Sequence, residues 1–348
     1  MAEILGIGCT HYPPGIVPDE HHPWPLPFQL KSDPRIPERL RDPRNWPAPM
    51  RAEWGDDQGL SAHAPHRARL EAAFRDLRAR IDAFAPDLVV IFGDDQYENF
   101  REECIPPFCV QAYADLACQP FHALGKLPNI WNEPNDKTFR FAGHREAAKR
   151  LATHALESGI DVAYAYAPRS PYGVGHAFAN TLLFLDIDRT GFPYPVVPIS
   201  VNAYGRRVIS YRGGILERSK EIDPPSPAPA RCFALGQAVA RALRESPWRA
   251  VVIGSASWSH AFLCDKNAWI HPDRDADERL LAELRASDYR KWTELSTAWI
   301  DDCGEQEFLS WICLGGAMDE GGAKAEVTEW LDTWVFNAAK CFAVFRPA

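Results

Sequence analysis

Residues 89–100 read VVIFGDDQYENF. An unbroken apolar run that stops at a glycine is the pattern of a strand covered on both faces, and such strands belong to sheets flanked by helices. The residues beyond the glycine are Asp94, Asp95, Gln96 and Glu98. In open α/β sheets the carboxyl ends of strands are where loops converge on ligands, so this polar cluster marks a candidate site.

Working outward, the stretch before it, HRARLEAAFRDLRARIDAF, sets Leu70, Ala73, Phe74, Leu77, Ile81 and Phe84 on one helical face. The alternation then repeats. Helices are expected at REAAKRLATHALES (145–158), HAFANTLLFL and CFALGQAVARALRES; strands at EILGIG (3–8), DVAYAYA, YPVVPISV and RAVVIGSA. Two more helices are expected at QEFLSWICLGGAM and near VTEWLDTWVFNAAK. The reading is α/β: one large domain over 1–348 with a central, mostly parallel sheet flanked by helices. Two loop excursions interrupt it, at about 17–65 and 203–230. The first is rich in Pro and Trp, a composition that frustrates helix and sheet alike, and is expected to be a long loop or lid carrying Trp24, Trp46 and Trp54.

The 348 residues are 46% hydrophobic and 24% charged, with a formal net charge of −9. That balance argues against nucleic acid or an anionic membrane as a partner, and favours a small molecule. The N-terminus has no signal-peptide pattern and no stretch is long and apolar enough to span a bilayer, so a cytoplasmic location is expected. Nine scattered cysteines without a C-x-x-C pair read as reduced core thiols.

Polar residues gather at four expected strand ends: His11 after the first strand, Asp94–Gln96 after the second, His176 after SPYGVG, and Ser257 with His260 after RAVVIGSA. Each histidine alone also suits a helix cap or a core hydrogen bond. Four strand ends agreeing point to one shared site. The remaining histidines, His21, His22, His122, His144, His154 and His271, read as surface or structural.

At these residues the sequence also resembles a known family. GIGCTH, PDLVVIFGDDQYENF followed by CIPPFCV, GVGHAF, VVPISVN, ARCFALGQAV, IGSASWSH and CGEQEFLSWICLGGAM are similar, in order and context, to the class III extradiol ring-cleavage dioxygenases. That family includes the catalytic subunit of protocatechuate 4,5-dioxygenase and the DOPA dioxygenases. The resemblance runs from residue 3 to about 346, outside the two excursions. It implies a non-haem Fe(II) enzyme that opens a catechol- or aminophenol-type ring with O2. By the same resemblance His11 and Glu307 are iron ligands, His176 lies in the surrounding shell, and His260 is the catalytic histidine. His260 would take the substrate's hydroxyl proton; His176 would stabilise charge on bound oxygen or substrate.

One position departs from the pattern. Where the family has a second histidine ligand after the strand, this chain has Gln96. An amide oxygen is a weaker donor than imidazole. Either Gln96 itself, or Asp95, Asp94, or one of His63 and His66 fills the place; alternatively Asp94 and Asp95 cap turns. Arg206, Arg207, Arg212 and Arg218 in the second excursion are candidates for binding a substrate carboxylate. In the resembled enzyme a small subunit covers the site; here the excursions would take its place in a homo-oligomer.

Two other readings compete. LLFLDIDRTG (182–191) mimics the D-x-D-x-T signature of aspartate-nucleophile phosphatases, with Asp186 and Asp188 as the acidic pair. The departure at Gln96 supports a family member whose iron site is altered or lost, acting as a hydrolase on another metal or as a small-molecule binding protein.

Overall fold

The computed structural model describes residues 2–346; residues 1, 347 and 348 of the expected domain lie outside it. Among the described residues ten strands form: β1 (Ile4–Cys9), β2 (Leu88–Asp94), β3 (Phe108–Gln111), β4 (Asp115–Cys118), β5 (Phe139–Ala142), β6 (Ala163–Ala165), β7 (Val196–Val201), β8 (Ala250–Ser255), β9 (Lys324–Leu331) and β10 (Lys340–Arg346). Eight make one sheet in the order β6-β3-β7-β2-β8-β1-β10-β9, while β4 and β5 form a separate pair. The middle of the sheet, β7-β2-β8-β1, is parallel throughout. Antiparallel pairings join β3 to β7, β10 to β1 and β9 to β10.

The apolar run that opened the reading is β2, buried at every position. Successive side chains of a strand point to opposite faces. Leu88, Val90 and Phe92 accordingly enter one core, under helices 145–157, 229–244 and 309–319, and Val89 and Ile91 enter the other, under helices 60–84 and 176–185. The sheet is therefore covered on both faces, and its parallel strands deliver their carboxyl ends to a single edge.

Three expectations are corrected. VTEWLDTWVFNAAK is not a helix: its first half belongs to β9, paired antiparallel with β10. Val327, Thr328 and Trp330 suit a pleated surface, and the cross-strand partners outweigh the helical spacing of the apolar residues. LLFLDIDRTG does not follow a strand. It ends helix His176–Leu185, and Asp188 pairs with Arg75 at the surface, 3.0 Å away. A phosphatase site has no scaffold there.

The first excursion is not an open lid. It contains short helices at Leu26–Ser32 and Ala48–Trp54, and helix Leu60–Phe84 begins inside it. Trp24, Trp46 and Trp54 are buried, with Trp24 against Phe336 and Trp46 edge-on to Trp54. Their indoles are anchored in the core on the face of helix 60–84. All nine cysteines are free, and all but Cys104 are buried.

Candidate metal centre

His11 lies two residues past Cys9, the last residue of β1, and its ring is fixed from behind. Nδ1 lies 3.2 Å from the carbonyl oxygen of Ser255, the last residue of the neighbouring strand β8. A carbonyl only accepts, so Nδ1 carries a proton, and in the neutral ring the Nε2 lone pair is free. That lone pair faces two carboxylates, with Asp94 Oδ1 and Glu307 Oε2 each 3.3 Å from Nε2. Neither oxygen has a hydrogen-bond donor.

Asp94 is the last residue of β2 and is fully buried, with both carboxylate oxygens unpartnered. Burial, reinforced by the charge of Glu307, pushes its carboxyl up to about 7. Glu307 lies in the turn that leads into helix Leu309–Asp319. Burial opposes its ionisation, yet His260 and His11 beside it hold it down to about 2. Its Oε1 is well supplied: Gln96 Nε2 donates at 2.9 Å, Tyr204 Oη donates at 3.0 Å, and His260 Nε2 lies at 3.4 Å. Gln96 also donates to the Tyr204 hydroxyl.

His176 starts its helix, and its ring meets His11 edge-on with centroids 5.0 Å apart. Potential ligand atoms of His11, Asp94 and His176 all lie within 4.8 Å of one another. Burial works against a proton on His176, but Glu98 wins and raises it to about 10. The contact needs Gly175, because a Cβ there would sit 2.7 Å from Glu98 Oε2. His260 is shifted the other way: burial lowers it despite Glu307, leaving a neutral ring whose Nδ1 has no partner. Its backbone N–H donates to Gly304 O at 2.8 Å. Gly304 itself adopts φ +73, and any Cβ would press on the His260 carbonyl.

The four strand ends thus meet as expected, bringing together His11, Asp94, Gln96, His176, His260 and Glu307. Asp95 is turned away, its carboxylate capping the following turn by accepting from the N–H groups of Glu98, Asn99 and Phe100. His63 and His66 lie under the first excursion, His63 bonded to Asp19 at 2.8 Å and both rings against Phe336. Of the arginines, Arg212 lines the cleft beside Gln96 and His176. Arg206 and Arg207 pair with Asp301 and Asp265 instead, at 3.6 and 3.1 Å, and Arg218 packs on Gly214.

The cleft has a volume of about 440 Å³, and the wall of its mouth is set by His122 stacked on Tyr172 at 3.6 Å, with Arg101 and Leu124 nearby. His122, read as surface or structural, is exposed and is also part of this lining. Tyr204 and the role of Glu98 were also missed. Glu98 stands in the quoted polar cluster and Tyr204 two residues past VVPISVN, so proximity to a strand end was the available signal for both.

The residues fit a divalent cation. One imidazole nitrogen and two buried carboxylate oxygens converge, neither oxygen supplied with a donor, and a positive charge placed among the three would relieve the repulsion between the carboxylates. Fold and donor set together define an α/β protein with a candidate mononuclear metal centre at the carboxyl edge of its sheet.

Residues 220–339 match the family described as the catalytic LigB subunit of aromatic ring-opening dioxygenase. The chain is 32% identical over 193 residues to a 2,3-dihydroxyphenylpropionate/2,3-dihydroxicinnamic acid 1,2-dioxygenase of Burkholderia vietnamiensis, covering 56% of this chain and 49% of that one. An enzyme of the same name from Comamonas testosteroni is 30% identical over 241 residues, 69% of this chain and 63% of its own. One from Pseudomonas putida is 32% identical over 188 residues, 53% and 47%. These matches support membership of the class III extradiol dioxygenase family. It spans about half the length of the first of these relatives. Among the described residues no helix is long and apolar enough to cross a membrane.

Proposed function

We propose that the chain is a metal-dependent extradiol dioxygenase that opens a catechol- or aminophenol-type aromatic ring with O2. The observation that carries this is the convergence of the buried His11, Asp94 and Glu307 beside His176, which, with Gln96, lines a cleft. Fe(II) is the proposed ion. Bound there, it would hold a substrate's two oxygens and dioxygen side by side, so that electrons pass from ring to oxygen.

The protein's own part is proton management and exclusion of water. His260, neutral and buried, accepts the substrate's hydroxyl proton at Nδ1, where no other group competes. Its Nε2 faces Glu307, which stabilises the imidazolium so formed. His176 stands opposite as a charged donor, tied to Glu98, and places a proton next to oxygen as negative charge develops there. Gln96 and Tyr204 hold the Glu307 carboxylate in place.

The relatives' names point to a dihydroxylated ring carrying a carboxylated side chain, and Arg212 at the cleft is suited to bind such a carboxylate. The substrate would be a small aromatic acid, and the enzyme a cytoplasmic homo-oligomer. The test is oxygen uptake, with formation of a coloured ring-opened acid, by Fe(II)-reconstituted protein over a panel of catechols and aminophenols. Uptake with at least one of them supports the proposal. Firm metal binding without uptake from any would favour the second reading, a hydrolase on another metal or a binding protein, to which the replacement of imidazole by Gln96 lends support.

A further inference from the structure

We propose that Asp94, not Gln96, supplies the ligand that completes the metal site of this chain, giving a set of one imidazole and two carboxylates: His11, Asp94 and Glu307. The inference rests on the metal-centre reading above but not on ring opening.

Three observations carry it. Both oxygens of Asp94 are fully buried at the end of β2 and lack any donor, while Oδ1 lies 3.3 Å from the His11 lone pair. Glu307 Oε2, likewise without a donor, lies at the same distance from the same nitrogen. Two buried carboxylate oxygens aimed at one ring nitrogen mark a place where a cation would be held by all three. Gln96, by contrast, is already committed. Glu307 Oε1 only accepts, so the face that Gln96 turns toward it is the NH2 group, which is not a ligand. Gln96 is thus a positioning residue: it orients Glu307 as outer hydrogen-bond partners orient ligands elsewhere.

The consequence is chemical. Exchanging imidazole for a second carboxylate adds a negative charge to the ligand set and shifts its preference toward oxygen-seeking ions, Fe(II) and Mn(II), relative to a site with two imidazoles.

The test uses the full chain, made metal-free and then titrated anaerobically with Fe(II) or Mn(II), reading bound metal after desalting and the shift in Tm on metal addition. Wild type, Asp94→Asn and Gln96→Ala are compared. Asp94→Asn is expected to lose affinity by more than about 100-fold, and Gln96→Ala by about 10-fold, within the range for loss of an outer partner. The metal-free Tm of Asp94→Asn is expected to rise, because a neutral amide relieves the repulsion from Glu307; a rise shows that the variant folds and that Asp94 is not merely structural. Asp94→Asn binding metal as tightly as wild type, or Gln96→Ala losing it altogether, overturns the assignment. Absence of metal from wild type overturns the metal-centre reading with it, whereas tight binding without ring opening overturns only the proposed activity.

Discussion

Glu98 grips His176 twice, accepting from its backbone N–H at 2.8 Å with one carboxylate oxygen and meeting the ring Nδ1 at 3.0 Å with the other. One carboxylate thereby serves both the first turn of helix His176–Leu185 and the charge on its leading side chain. The helix cap and the proposed proton donor are the same contact.

The pH dependence of that contact has a definite sign. His176 is raised from 6.5 to about 10, so its contribution to stability is complete below the unfolded value and disappears as pH rises through about 10. In metal-free protein, NMR titration of His176 should show a midpoint near that upper value, and Glu98→Gln should bring it down by more than about 2 units, since burial is then opposed only by the weaker pull of Asp94 and Glu307. An unchanged midpoint in Glu98→Gln would show that Glu98 is not the cause.

A second carboxyl pair gives a separate handle on stability. Asp277 and Glu305 are both buried; burial raises Asp277 to about 8 and pushes Glu305 well above its usual range. Asp277 accepts from the Ser259 N–H at 3.0 Å, next to His260. Groups raised in this way favour the folded state fully below pH 4 or so, and that advantage is lost as pH climbs to about 8. Wild-type stability should therefore fall across that window, by up to about 1.4 kcal/mol per pH unit for each group. Asp277→Asn should flatten the fall, as measured by denaturant unfolding at a series of pH values; a parallel profile would contradict the assignment.

Tyr204→Phe removes the hydroxyl that donates to Glu307 at 3.0 Å and leaves the ring in its packed position. Metal affinity should weaken by about 10-fold while the fold is kept. Competition with a chromophoric chelator measures this, and an undiminished affinity would show that Gln96 suffices to hold Glu307.

Arg212→Ala should raise KM for a catechol bearing a carboxylated side chain by about 3- to 10-fold, a modest effect because the arginine is half exposed and shares its charge with Glu102 at 3.4 Å. The same change should leave KM for unsubstituted catechol alone. Arg206→Ala, whose arginine pairs with Asp301 outside the cleft, should alter neither.

Much of this was legible in the sequence because strands buried on both faces have a one-dimensional signature. The apolar runs at β1, β2, β7 and β8 announced the parallel centre of the sheet, and the polar residues after them announced the site. What escaped was decided by partners distant in sequence. VTEWLDTWVFNAAK has helical spacing, and only β10 beside it makes its first half a strand. Trp24, Trp46 and Trp54 suggested a lid by composition, whereas Phe336 and their mutual packing draw them into the core. Asp94 and Asp95 are adjacent and chemically identical in sequence. The pleat separates them, sending Asp94 toward His11 and leaving Asp95 to cap a turn.

The fate of dioxygen tests the proposed ring opening most directly. Fe(II)-loaded protein should be allowed to turn over its best catechol under 18O2, and the acid product weighed by mass spectrometry. Ring opening by a dioxygenase predicts two labelled oxygens in the product, apart from exchange at the aldehyde or ketone. A product with no label from dioxygen, its new oxygens drawn from water, would contradict the proposed chemistry and leave this fold holding its metal for another purpose.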